Sequence, residues 1–181
     1  MVCYVMTYMC VHICLIRYAI HNSGKVGLTL KKVGDSNNEV RTQATSSVQD
    51  NVKFLYSPAI ARELLEYNHK DELLKFTASG FITNPNYNIK KMNFLLFINH
   101  RLVESSAMKK AIELIYAAYL PKGTHPFVYL SLNIAPENID VNVCNYLFIM
   151  IQLKFDFLLH FDIFLRYILP NTKYIFCTKM K

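Results

Sequence analysis

Residues 94–120 read FLLFINHRLVESSAMKKAIELIYAAYL, and a change of period inside this run decides the fold. Met92–Ile98 (MNFLLFI) is apolar on both faces after its first residues, the pattern of a central strand. Ser105 or Ser106 then offers an N-cap, and Met108, Ala111, Ile112, Ile115 and Tyr119 recur along one helical face. Lys109, Lys110 and Glu113 fall on the other face, and Pro121 and Gly123 stop the helix. A buried strand followed by an amphipathic helix commits the chain to a layered α and β domain.

The flanks continue the alternation. Downstream, Phe127–Ala135 puts Val128, Leu130, Leu132 and Ile134 on one side; Pro136-Glu137-Asn138 turns the chain, and Ile139, Val141 and Val143 alternate in a last strand. Upstream, Leu74, Phe76, Ala78, Gly80 and Ile82 alternate as a strand that ends at Asn84-Pro85-Asn86. After the polar stretch Gln43–Ser47, the spacing of Val48, Val52 and Leu55 predicts a helix over Val48–Tyr56. Ser57-Pro58 supplies a cap and first turn, with Ile60, Leu64 and Tyr67 as a second helical face. Gly27–Lys32 and Glu39–Thr42 flank Gly34-Asp35-Ser36-Asn37-Asn38 as a hairpin. The order is β–β–α–β–β–α–β–β, an α+β sandwich with helices on one side of a mixed sheet.

The length of 181 residues suits one domain, and 52% AVILMFWYC with 18% charged residues excludes general disorder. Lys and Arg number 20 against 13 Asp and Glu, a formal +7 that favours anionic partners, nucleic acid or a membrane surface. Five scattered cysteines fit a reducing compartment better than a disulfide framework.

Charge is uneven along the chain. Residues 1–16 (MVCYVMTYMCVHICLI) hold no Lys, Arg, Asp or Glu, and with 144–181 they read as apolar ends foreign to a soluble module at 17–143. The first segment lacks a basic lead and a small-residue cleavage site, so secretion is not expected. Tyr146–Leu169 is long enough to span a bilayer, but Lys154, Asp156, Asp162 and Arg166 make the insertion balance marginal. Neither end shows clear periodicity, and both lean on residues with AT-rich codons, which fits translated non-coding sequence.

Few constellations carry chemistry. The Walker, dinucleotide, nucleophile-elbow and HExxH patterns do not occur. Cys3, Cys10, His12 and Cys14 match no zinc spacing, and His69, Asp71 and Glu72 read as a polar loop. Arg101 has two readings, a structural pair with Glu104 or a phosphate contact. Lys31-Lys32, Lys90-Lys91 and Lys109-Lys110 are basic pairs whose side chains can reach phosphate oxygens or simply face solvent. Tyr87 and Tyr129 could stack bases, though core burial is the commoner use of such residues.

FLLFINHRLVESSAMKKAIELIYAAYL, with PKGTHPFVYLSLNIAPENIDVNV after it and IHNSGK, LKKVGDSNNEVRT, ARELLE and SGFITNPNYNIKK before it, resembles the MutL-homologue DNA mismatch repair proteins. The likeness is closest to the eukaryotic MutL homologue one branch and covers about Arg17–Val143. Its specific signals are a strand ending in Asn99-His100-Arg101 and the later Asp140–Val143 (DVNV).

The resemblance implies a ribosomal-protein-S5-domain-2-like fold, the family's transducer domain. That domain couples ATP and Mg bound in a neighbouring GHKL ATPase domain to DNA binding and dimerisation. It further implies a nuclear location, a MutL-family partner subunit and mismatch-recognition proteins of the MutS family. Lys90, Lys91, Arg101, Lys109 and Lys110 become the candidates for DNA contact, with no catalytic residue and no metal site. The chain departs from the family where His-Pro-x-Lys should follow Val143. Leu147 stands at the place of the ATP-contacting lysine, and leucine can neither neutralise nor hydrogen-bond a phosphate. No ATP hydrolysis is expected from this polypeptide alone. Two other readings stay open: a small membrane-associated protein, and a non-functional gene-model fragment.

Overall fold

The computed structural model describes residues 2–34, 38–72 and 75–135. The expected turn at Pro136–Asn138, the strand through Val143, Leu147 and the segment Tyr146–Leu169 all lie outside these residues, as does Leu74.

Eleven elements follow in order among the described residues: α1 (Val2–His21), β1 (Thr29–Lys31), β2 (Asn38–Arg41), α2 (Val48–Leu55), α3 (Pro58–Arg62), β3 (Leu64–Asp71), β4 (Phe76–Thr83), β5 (Asn93–Ile98), β6 (Arg101–Val103), α4 (Ser106–Tyr116) and β7 (Phe127–Ile134). β1 and β2 form a separate antiparallel pair. The other strands make one sheet in the order β3-β4-β7-β5-β6, with β5 and β7 parallel and the remaining neighbours antiparallel. The mixed α+β architecture thus stands.

The helices, however, cover both faces of the sheet. Leu96 and Ile98 of β5 pack with Met108, Ile112 and Tyr116 of α4. Leu95 and Phe97 pack on the opposite face with Ile20 of α1, Val52 of α2 and Ile60 of α3. A strand that is apolar on both faces needs two covers, because each face left in water would forfeit about 25 cal/mol per Å² of apolar area.

Three further expectations are corrected. Leu64 and Tyr67 lie on β3 and not on a helix, since α3 ends at Arg62 and Leu64 pairs with Thr83. Inward Leu65 and Tyr67 alternate with exposed Glu66, Asn68 and Lys70, so His69 and Asp71 belong to a strand and not to a loop. The N-terminal segment, read as aperiodic, is helical through position 16 into His21.

Local chemistry explains the helix starts. Ser47 and Asp50 form a reciprocal capping box on α2, and Ser57 and Ser105 cap α3 and α4. Asn51, 2% exposed, docks α1 against α2 by donating to Ala19 O at 3.2 Å and Ser23 Oγ at 2.8 Å. Tyr116 ties α4 to the sheet by donating to Thr83 O at 2.8 Å, and burial pushes its phenol well above the usual range. Among the described residues no helix is long and apolar enough to cross a membrane.

Candidate nucleic-acid interface

The last turns of α1, the approach to β5 and the β6–α4 junction enclose a cavity of about 670 Å³. Ile13, Ile16, Phe94 and Val103 give it apolar lining; Arg17, Lys91 and Lys109 are its cations and Glu104 its acid. Arg17 Nη1 lies 3.3 Å from Glu104 Oε1, so one positive charge is matched. Lys91 and Lys109 make no ion pair among the described residues. The N-terminus of α4 opens beside them without an acidic residue in its first turn, so its dipole adds to the positive field.

The five sequence candidates are sorted by this geometry. Lys91 and Lys109 meet across the cavity, although 17 positions lie between them in the chain. Their sequence neighbours Lys90 and Lys110 are exposed and do not line it. Arg101 is exposed at the start of β6, and of its two readings the pair with Glu104 is not formed, because Glu104 faces Arg17. Arg17 is the residue that sequence reasoning missed: nothing in its neighbourhood marks it, and only the docking of α1 brings it to the rim.

Of the tyrosines considered for stacking, Tyr129 is a core residue and Tyr87 is partly buried. Tyr129 is 6% exposed and Tyr87 packs against the same cluster. Of the residues whose spacing fits no zinc pattern, Cys10 and Cys14 are exposed and His12 Nε2 stands 3.9 Å from Glu39 Oε2. Among the described residues, no three His, Cys, Asp or Glu side chains could hold a metal together.

A second cluster fixes the end of α1. The His21 ring stacks on Phe97 at 4.0 Å between centroids, with Nδ1 3.0 Å from Tyr129 Oη and Nε2 2.9 Å from His100 Nδ1. Burial, then the charges of His100 and Lys25, lower the His21 pKa to about 4. Burial pushes Tyr129 up to about 12, so the cluster is neutral at His21 and Tyr129 near pH 7.

The consequence for stability has a definite sign. A histidine titrating near 6.5 when unfolded and near 4 when folded contributes stability above pH 6.5, which is lost as pH falls towards 4. With screening allowed for a partly exposed ring, the loss is about 1–2 kcal/mol. Thermal melts of wild type and His21→Gln from pH 7 to 4 check this: the wild-type midpoint falls more steeply over that window. Parallel slopes would remove His21 from the account.

Comparison with known proteins adds the following. The family model described as "DNA mismatch repair protein, C-terminal domain" matches residues 52–144. The chain is 43% identical over 130 residues to MutL protein homolog 1 of Schizosaccharomyces pombe, covering 70% of this chain and 19% of that protein. It is 40% identical over 152 residues to the DNA mismatch repair protein Mlh1 of Dictyostelium discoideum, covering 70% and 17%. With MLH1 of Saccharomyces cerevisiae the identity is 36% over 130 residues, again 70% and 17%. The chain therefore spans less than a fifth of the length of these relatives. A crystal structure of the N-terminal domain of a DNA repair protein shares the fold, with a TM-score of 0.67 at 22% identity over 87% of this chain and 54% of that one.

Proposed function

The chain belongs to the MutL family of DNA mismatch repair proteins, in its eukaryotic MutL homologue one branch, and from that premise we propose that residues 17–143 act as a transducer module contacting the DNA backbone. The observation that carries this reading is that Lys91 and Lys109, in no ion pair among the described residues, line one cavity beside the open N-terminus of α4. Phosphate contacts of this kind ignore base sequence and weaken with salt.

The same cavity suggests how a neighbouring domain would act on DNA. Ile13, Ile16 and Arg17 of α1 line it, so a shift of α1 would move Arg17 away from Glu104 and change the charge presented to a phosphate. α1 is thus the coupling element. Residues 1–16 and 144–181 lie outside the proposed module boundaries, although α1 itself runs through position 16.

Leu147 stands where the family's phosphate-contacting lysine is expected, and leucine can neither neutralise nor hydrogen-bond a phosphate. Nucleotide chemistry is assigned to a neighbouring GHKL domain of the intact protein, which we place in the nucleus with a MutL-family partner subunit and MutS-family proteins. The module's own role is to bind and relay.

Fluorescence anisotropy with a labelled duplex tests the contact. Wild type should bind at low salt and lose affinity as salt rises. Lys91→Glu with Lys109→Glu should weaken binding at least about tenfold and lower the salt slope by about 2, one contact per lysine. Lys90→Glu with Lys110→Glu should do less. Absence of low-salt binding, or indifference to the first pair, would refute the contact.

A further inference from the structure

β2, the loop after it and α2 enclose a second groove, of about 730 Å³, that shares no lining residue with the first. Arg41, Gln43 and Ser46 line it from β2 and the loop, and Lys53, Phe54 and Pro58 from α2 and α3. Phe54 is 66% exposed, although its helix neighbour Val52 is fully buried. Asp50 is the acid of this groove, and its carboxylate is committed to the α2 cap, accepting from Ser47 Oγ at 2.6 Å and Ser47 N at 3.2 Å. Arg41 and Lys53 take part in no ion pair among the described residues.

An exposed aromatic ring that shares a groove with two cations outside any close ion pair among the described residues, an amide and a hydroxyl offers each contact that an unpaired nucleotide can make. A base face stacks on the ring, phosphates meet the cations, and the amide or hydroxyl can bond a base edge. A duplex keeps its base faces stacked on one another and cannot use the ring. An acidic peptide would satisfy Arg41 and Lys53 and leave Phe54 with nothing to cover it.

We propose that this groove is a stacking site for single-stranded nucleic acid, seating a base on Phe54 and the flanking phosphates on Arg41 and Lys53. It deepens the DNA-contact reading by naming the state of the strand, and it rests on that reading only for the class of ligand.

The chain contains no tryptophan, so Phe54→Trp places a single reporter at an exposed position. Titration of that full-length variant with oligothymidylate of about ten nucleotides should quench its fluorescence, and inorganic polyphosphate should not. Phe54→Ala should weaken oligothymidylate binding about tenfold while leaving duplex binding and the thermal midpoint unchanged. Lys91→Glu with Lys109→Glu should do the reverse, lowering duplex affinity and keeping the quench. Unchanged oligothymidylate affinity in Phe54→Ala, or an equal quench by polyphosphate, overturns the stacking site and leaves the first groove's reading intact. A quench without any duplex binding overturns the first groove's reading and supports this one. An acidic phosphopeptide that displaces the oligonucleotide and quenches the reporter equally assigns the groove to a protein partner and overturns the proposal.

Discussion

Gly80→Ala should destabilise the domain by about 3 kcal/mol or more, lowering the thermal midpoint by roughly 6–12 °C. Gly80 lies inside β4, between Tyr67 of β3 and Leu130 of β7. A Cβ there would stand 2.1 Å from Tyr129 O and 3.0 Å from Leu130 Cα. Both are backbone atoms of a strand hydrogen-bonded to β4, so no rotamer change relieves the overlap, and the two strands must part. Opposing this, alanine reduces the freedom of the unfolded chain by only about 0.4–1 kcal/mol, too little to change the sign. Gly123→Ala is a useful control: it meets nothing within 4 Å and only the strain of φ +77 opposes it, for about 1 kcal/mol. Equal melting points for Gly80→Ala and wild type would show that β4 and β7 can separate without cost. The same substitution should also weaken duplex binding, because β7 holds β5, which leads out of Lys91 at the groove.

Much of this sheet is legible in the residues. β4, α4 and β7 follow from period and a clear stop, and β5 from a short unbroken apolar run. The cover on both faces was not read from the sequence, although the apolar run of β5 contains its reason: Leu95 and Phe97 cannot be buried by the helix that buries Leu96 and Ile98. β3 was harder. Ile60, Leu64 and Tyr67 satisfy helical spacing while Leu65, Tyr67 and His69 satisfy strand spacing, and pairing with β4 over eight positions decides between them. The start of α1 resisted for another reason: a segment apolar all round carries no face, and its position is set by contacts made at its far end.

The groove was only half legible. Adjacent basic residues form conspicuous pairs in sequence, yet neighbours on a helix or strand point apart. What brings charge together is Lys91 entering β5 and Lys109 one turn into α4, and that juxtaposition depends on how the β5–β6 hairpin folds back. Arg101 illustrates the same point, as the hairpin carries Glu104 towards Arg17 of α1 and away from Arg101 as a partner.

Asn99→Ala should cost about 3 kcal/mol, because one side chain closes both the hairpin and the sheet. Asn99 and His100 are the two residues between Ile98 and Arg101, at φ 47 and 64, the left-handed geometry of a tight hairpin turn. Asn99 tolerates it better than alanine, which adds about 1 kcal/mol of strain. Its side chain also extends the parallel pairing of β5 and β7 beyond Ile98: Nδ2 donates to Ile134 O at 3.0 Å, and Ile134 N donates to Oδ1 at 2.8 Å. Alanine leaves that donor and acceptor of a buried strand residue without their partner, at about 1 kcal/mol or more each. Asn99→Asp separates the contributions, since a carboxylate still accepts from Ile134 N and cannot donate to Ile134 O; it should fall between wild type and alanine. Asn99→Gly removes the strain and keeps the loss of both bonds, so it should recover only about 1 kcal/mol. If glycine restored full stability, the turn geometry alone would explain this asparagine, and the bridge to Ile134 would contribute nothing. Denaturant unfolding of the three variants, compared at constant slope, measures the split.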